Sequence, residues 1–124
     1  MGITFEFDPR LDLLVERWEG AITADMLREY WGCLFQNDDY LNHDRTLVCI
    51  HDAQPAFEVA ELVPLVRALV TPYRKQVKHW NAIWVTTHEQ EYLAELYLTF
   101  SGEVGSSRIF NDRYSAIEWL RKAQ

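Results

Sequence analysis

The chain has little of what staples, bends or anchors a protein. Cysteine is represented twice in 124 residues, by Cys33 and Cys49. Their spacing fits neither a CxxC pair nor a ligand set, which excludes a disulfide framework and a paired-cysteine zinc site. Both lie in apolar segments, so reduced, buried thiols and a cytoplasmic setting are expected. With four prolines and five glycines, no linker, repeat or low-complexity tract interrupts the chain, and residues 1–124 are expected to form one domain. No apolar run approaches the length of a membrane span, so integral membrane association is not expected. The stretch from Met1 to Glu6 lacks a basic region followed by a long apolar run, so no signal peptide is expected. Glu6 stands where a myristoylation motif wants Ser or Thr. Cations are also scarce: 12 Lys and Arg against 19 Asp and Glu give a net charge of −7. That balance speaks against nucleic acid or an anionic membrane surface as partner.

Apolar and aromatic residues are plentiful. At 48% hydrophobic, a chain of this length can bury a core without staples. The organising stretch is Arg45 to Asp52. Its run Leu47-Val48-Cys49-Ile50 does not alternate with polar residues, so it predicts a strand buried on both faces in the middle of a largely parallel sheet. Before it, Ile3, Phe5 and Phe7 alternate with polar residues as a half-solvated edge strand. Asp8-Pro9-Arg10 turns the chain, and Leu11 to Trp18 returns as an antiparallel partner ended by Glu19-Gly20.

Thr23 is a helix N-cap with Asp25 in the first turn. Leu27, Tyr30, Trp31 and Leu34 follow at helical spacing, predicting a helix over about Ala24 to Gln36. Gly32 inside it is expected to mark close packing on a neighbour. Asn37-Asp38-Asp39 and Asn42-His43-Asp44 are turn chemistry. Val59, Leu62, Val63, Val66, Leu69, Val70 and Tyr73 form a second helical stripe. Pro72 predicts a stop or kink near Val70, then a short turn through Gln76. Trp80 to Thr87 is the next strand. Thr87 and Gln90 have capping-box spacing ahead of a third helix carrying Tyr92, Leu93, Leu96, Tyr97 and Phe100. Residues 102–106 read as a flexible loop, Arg108-Ile109-Phe110 as a short strand, and Asp112 as the cap of a last helix through Ala123. The order is ββαβαβαβα, an α/β single domain with a mixed, mostly parallel five-stranded sheet joined by right-handed crossovers.

Ligands of open α/β sheets bind beyond the carboxyl ends of the strands. That rim is expected to carry Glu19, His51, Asp52, His88 and Asp112 as ligand-binding candidates. A histidine among acids suits acid–base chemistry, but Asp112 already serves as a cap, and no convergent catalytic motif is present. No catalytic residue is therefore assigned. His51, Asp52 and His88 have metal-ligand chemistry without ligand spacing, so no metal and no cofactor is expected. The basic run Tyr73 to Trp80 reads as a solvated helix end. Trp18, Trp80 and Trp84 fall on neighbouring strands. If helices cover one sheet face, these rings are expected to line either a homodimer interface or an apolar groove.

Three segments resemble one family. Trp18-Glu19-Gly20-Ala21-Ile22-Thr23-Ala24-Asp25 resembles the G-x-I-T-x-x-D entry to the first helix of small bacterial SpoIIAA-like proteins, relatives of STAS domains. Asn81-Ala82-Ile83-Trp84-Val85 resembles their penultimate strand. Phe110 to Leu120 resembles their F-x-D-x-x-x-A-x-x-W-L ending. The resemblance implies a (βα) superhelix with helices mainly on one face. Anti-sigma antagonists of that family carry a phosphorylatable Ser after the central strand; here His51 to Phe57 contains no Ser or Thr. The expectation is a non-enzymatic binding or regulatory module with a protein partner or a second copy of itself. The alternatives are a carrier or sensor of a small apolar or lipid-like ligand, and a hydrolase or isomerase using His and Asp at the strand rim.

Overall fold

The computed structural model describes residues 2–75, 77–103 and 105–124. Met1, Gln76 and Val104 lie outside the described residues, and with them parts of the expected N-terminus, post-helix turn and 102–106 loop. Among the described residues, five strands make one sheet in sequential order: β1 (Gly2–Asp8), β2 (Leu13–Thr23), β3 (Arg45–Ala56), β4 (Trp80–Trp84) and β5 (Ser107–Phe110). β1 pairs antiparallel with β2, and every later pairing is parallel. The expected mixed α/β sheet is the one found. β3 is its middle strand, and Thr46 through Ile50 are buried on both faces.

Among the described residues, six α-helices follow the strands: α1 (Ala24–Leu34), α2 (Asp38–Leu41), α3 (Val59–Leu65), α4 (Thr71–Arg74), α5 (His88–Ser101) and α6 (Arg113–Lys122). Strand parity sorts the core into two layers. Leu14, Val48, Ile50 and Ile83 point to the face covered by α1, α3 and α5. Leu13, Val15, Leu47, Cys49, Trp80 and Ala82 point to the other face, where Ala116, Ile117 and Leu120 of α6 meet them. Most helices thus share one face, and α6 closes the opposite one.

The caps follow the sequence. Thr23 Oγ1 accepts from Met26 N at 3.2 Å. Thr87 Oγ1 accepts from Gln90 N at 3.1 Å, and Gln90 Oε1 accepts from Thr87 N at 3.2 Å. Asp112 Oδ1 accepts from Ser115 N at 2.8 Å. Each satisfies backbone donors that a helix start leaves without an intrahelical acceptor.

Several expectations are corrected. β2 does not end at Glu19-Gly20 but runs to Thr23. Its register with β3 jumps from Arg17 opposite Cys49 to Glu19 opposite Asp52, so β3 carries one extra residue there. Such a bulge re-aims side chains: beyond it Ala53, and not Asp52, is packed under the helices. β4 stops at Trp84 instead of Thr87. The turn at Asn37 winds into α2, because Asn37 Oδ1 accepts from Asp39 N at 2.9 Å, and this buries Tyr40. Gly32 packs on nothing: a Cβ there would meet no atom within 4 Å. Cys33 is exposed, while Cys49 is buried.

Pro72 acts as a local widening of the helix. It has no N–H for the carbonyl of Ala68. Val66–Val70 is wound as a π-turn, with Thr71 N reaching back to Val66 O, before α4 resumes. Thr71 Oγ1 also donates to Val66 O at 3.1 Å and to Phe100 O at 2.6 Å.

Candidate functional site

Between the sheet and the helices α1, α3 and α5 lies a cavity of about 70 Å³. The inward parity of β2, β3 and β4 supplies its floor: Glu16 and Trp18, Val48 and Ile50, Asn81 and Ile83. Trp31, Leu34, Leu62, Leu93, Ala94 and Tyr97 supply the helical walls, and Phe57 and Arg74 complete it. Most of this lining is hydrocarbon. The polar groups gather at one end, around Glu16, Arg74 and Asn81.

Most of the polar atoms there are hydrogen-bonded, but Arg74 Nη1 and Glu103 Oε2 are buried without a partner. Glu16 is 6% exposed. Its Oε2 accepts from Trp18 Nε1 at 2.7 Å and its Oε1 from Tyr30 OH at 2.6 Å. Burial raises its carboxyl above the ordinary value; the Tyr30 and Trp18 hydrogen bonds and the Arg74 charge oppose that without cancelling it. The Tyr30 phenol is pushed up by its own burial and then by Glu16.

Arg74, at the end of α4, has a side chain 5% exposed and places Nε 2.8 Å from Oε1 of Glu103, whose side chain is 1% exposed. Burial works against the Arg74 charge, but Glu103 and the phenols of Tyr97 and Tyr40 outweigh it and hold the guanidinium protonated. Its Nη2 donates to Tyr40 OH. Asn81 Nδ2 donates to Glu103 Oε1 at 2.7 Å and to Ser107 Oγ at 3.3 Å. Despite the short ion-pair distance, Arg74 Nε is not aligned as a hydrogen bond, and Nη1 is buried with no partner. Behind this cluster His79 is 2% exposed, stacked on Tyr40 with centroids 4.5 Å apart and hydrogen-bonded to Thr46 Oγ1 at 2.7 Å. Burial, followed by the Arg74 charge, lowers its pKa to about 3.

The structure gives the rim residues a different setting. His51 Nε2 sits 3.2 Å from Asp52 Oδ2, and its ring stacks on Trp84 at 3.7 Å. Glu19 lies opposite Asp52 in the ladder, exposed and well before the end of β2. His88 and Asp112 are exposed at the starts of α5 and α6. Neither makes a hydrogen bond or ion pair with the other rim candidates among the described residues. Hydrogen bonds to Ser115 hold Asp112 below the usual carboxylate range. Gln90 Nε2 donates to His51 O at 3.2 Å and to Ala53 O at 2.9 Å, tying β3 to α5. Among the described residues, no three His, Cys, Asp or Glu side chains converge on a metal position.

The tryptophans divide between the two faces. Trp18 borders the cavity. Trp80 and Trp84 face α6, where Trp80 meets Trp119 edge-on at 6.1 Å. The cover over the second face is thus supplied within the chain.

Sequence reasoning missed Glu16, Arg74, Asn81 and Glu103. The basic run is not wholly solvated, since Arg74 and His79 are buried, and the expected loop supplies the buried Glu103. The available signal was aromatic company: Arg74 follows Tyr73, and its guanidinium lies about 5.5 Å from the rings of Phe35, Tyr40 and Tyr73.

The sheet order, the lone antiparallel pair and the helical layers define a SpoIIAA-like fold. Among solved structures, the chain is similar to an uncharacterised protein from the DUF3478 family with a SpoIIAA-like fold, from Shewanella loihica PV-4. The two share 17% identity with a TM-score of 0.63, over 96% of this chain and 93% of that one. No protein-family model matches the chain, and no curated protein does. No helix among the described residues is long and apolar enough to cross a membrane.

Proposed function

We propose that this domain is a non-enzymatic module that binds a small apolar molecule between its sheet and helices. The observation that carries this reading is the cavity itself: hydrocarbon and aromatic walls with a few polar groups at one end, the usual composition of a small-molecule site. Its size sets the scale of the ligand. An apolar cavity of roughly 150 Å³ holds benzene, so about 70 Å³ suits a handful of non-hydrogen atoms. Half-exposed Trp18, Phe57 and Leu93 at its edge give a route in. The rim candidates favour the competing hydrolase reading less, because among the described residues no hydrogen bond or ion pair joins the His51 and Asp52 side chains to a nucleophile or second base.

The test is NMR of the 15N-labelled protein during titration with cyclopropane, acetone and 2-butanone. The indole N–H resonances of Trp18 and Trp31 shift on binding. Ala94→Leu, which fills the cavity from α5, abolishes the shifts while the protein stays folded. Failure of every probe to move either resonance removes the reading.

A further inference from the structure

We infer that the cavity takes a small methylated ammonium ion, whose methyl groups meet the hydrocarbon and aromatic walls and whose charge is matched by Glu16. This deepens the reading of the cavity as a binding site and rests on it.

The first argument is a count of charge. Arg74 and Glu103 match each other at 2.8 Å, and Arg74 Nη1 and Glu103 Oε2 are buried and unpartnered alike, so neither sign is in excess there. Glu16 is left over. Among the described residues it makes an ion pair with no Lys, Arg or His. His79 does not supply the missing charge near neutral pH, because its pKa is lowered to about 3. A lone buried carboxylate is costly. A proton removes that cost, and so does a cation that fits the cavity; an anionic ligand adds to it.

The second argument is how Glu16 is held. Trp18 Nε1 donates to its Oε2 at 2.7 Å and Tyr30 OH to its Oε1 at 2.6 Å. Two acceptor oxygens suit the ionised carboxylate, while burial opposes that form. A cation in the cavity resolves the conflict in favour of the carboxylate. A methylated ammonium does so by charge and requires no free oxygen.

The third argument is the lining. Trp18, Trp31, Phe57 and Tyr97 border the same cavity as Glu16, and aromatic rings attract a cation that lies over their faces. A nitrogen bearing a few methyl groups suits a volume of about 70 Å³. The net charge of −7 draws cations to the protein.

The titratable and charged groups that act on Glu16 are Tyr30 of α1, Tyr40 of α2, Cys49 of β3, Arg74 of α4 and Glu103; Tyr97 of α5 borders the same cavity. Burial raises the phenols and the thiol above their ordinary values, and Arg74 stays protonated. A Glu16→Gln variant separates the titration of Glu16 from that of Glu103.

The experiment titrates trimethylammonium chloride, acetone and sodium acetate, which have equal numbers of non-hydrogen atoms, into the 15N-labelled protein. It follows the Trp18 indole N–H, which is hydrogen-bonded to Glu16. At about pH 8 trimethylammonium is expected to bind about tenfold tighter than acetone, the order that a desolvated cation among aromatic rings gives, and acetate more weakly than either. Proton and cation compete for one carboxylate. The affinity for trimethylammonium is therefore expected to fall as the pH is lowered from about 8 to about 5, while that for acetone holds. In Glu16→Gln, trimethylammonium is expected to lose both its advantage over acetone and its pH dependence. The pH series on the unaltered protein decides the matter if that variant does not fold. Trimethylammonium binding no tighter than acetone or cyclopropane to the unaltered protein overturns this inference and leaves the binding site standing. A preference that survives Glu16→Gln, or that is independent of pH, also overturns it. Binding by none of these probes, cyclopropane included, overturns both readings.

Discussion

Arg74 and Glu103 form a buried ion pair, Nε to Oε1 at 2.8 Å, with side chains 5% and 1% exposed. They join the end of α4 to the segment between α5 and β5. Taking both charges out of water is costly, and their attraction offsets that cost only while both are present. Arg74→Met alone leaves Glu103 buried and unmatched, and is expected to destabilise the domain by about 3–5 kcal/mol. The double variant Arg74→Met, Glu103→Leu is expected to regain most of that loss. Urea unfolding of the three proteins checks it, and equal midpoints for the single and double variants would refute the account.

Two buried groups pull the pH dependence of stability in opposite directions. Glu16 binds its proton more tightly folded than unfolded, because burial raises its carboxyl from 4.5. The folded state therefore holds more protons just above that value, and this contribution to stability is lost as pH rises through the folded pKa. His79 does the reverse. Its folded pKa is lowered from 6.5 to about 3, so the unfolded state holds more protons between those values. Its contribution is full above pH 6.5 and is lost as pH falls toward 3. Glu16→Gln is expected to remove the decline above pH 4.5, and His79→Phe to flatten the rise between about pH 3 and 6.5. Denaturant midpoints measured across pH 3 to 8 separate the two. An unchanged pH profile in either variant contradicts its assignment.

The two thiols are expected to differ in reactivity. Cys33 is exposed on α1, whereas Cys49 is buried in the central strand, and burial pushes its pKa up to about 11. The thiolate is the reactive form. One equivalent of an aromatic disulfide reagent should therefore be consumed promptly by the native protein at pH 8, and two after denaturation. Cys33→Ser should remove the prompt phase. Prompt consumption of two equivalents by native protein is the contrary result.

What was legible in the sequence was local. Thr23, Thr87 and Asp112 declare their caps, because the donors they satisfy are two or three residues away. The run Leu47 to Ile50 declares a doubly covered strand, since no alternation survives between two packed faces. Glu16 was illegible for the same reason: Leu13, Leu14 and Val15 are apolar on both faces, so nothing assigned Glu16 a side. The division of Trp18 from Trp80 and Trp84 depends on register between strands: Arg17 lies opposite Cys49 and Cys49 opposite Trp84, so Trp18, one residue on from Arg17, falls on the other face. Glu103 looks like any polar residue between glycines; its burial follows from where the topology brings Arg74, 29 positions earlier.

The π-turn at Val66–Val70 fixes an azimuth. Each residue of a regular helix adds about 100° of rotation, and the widened turn inserts one residue before Thr71. Winding the same residues as an ordinary α-helix, with none deleted, would swing the α4 guanidinium about 100° around the axis, away from its carboxylate on the far side. The direction in which that cation points is thus set by how one turn upstream is wound, and a change that straightens that turn would alter the chemistry of the hollow without replacing any group that borders it.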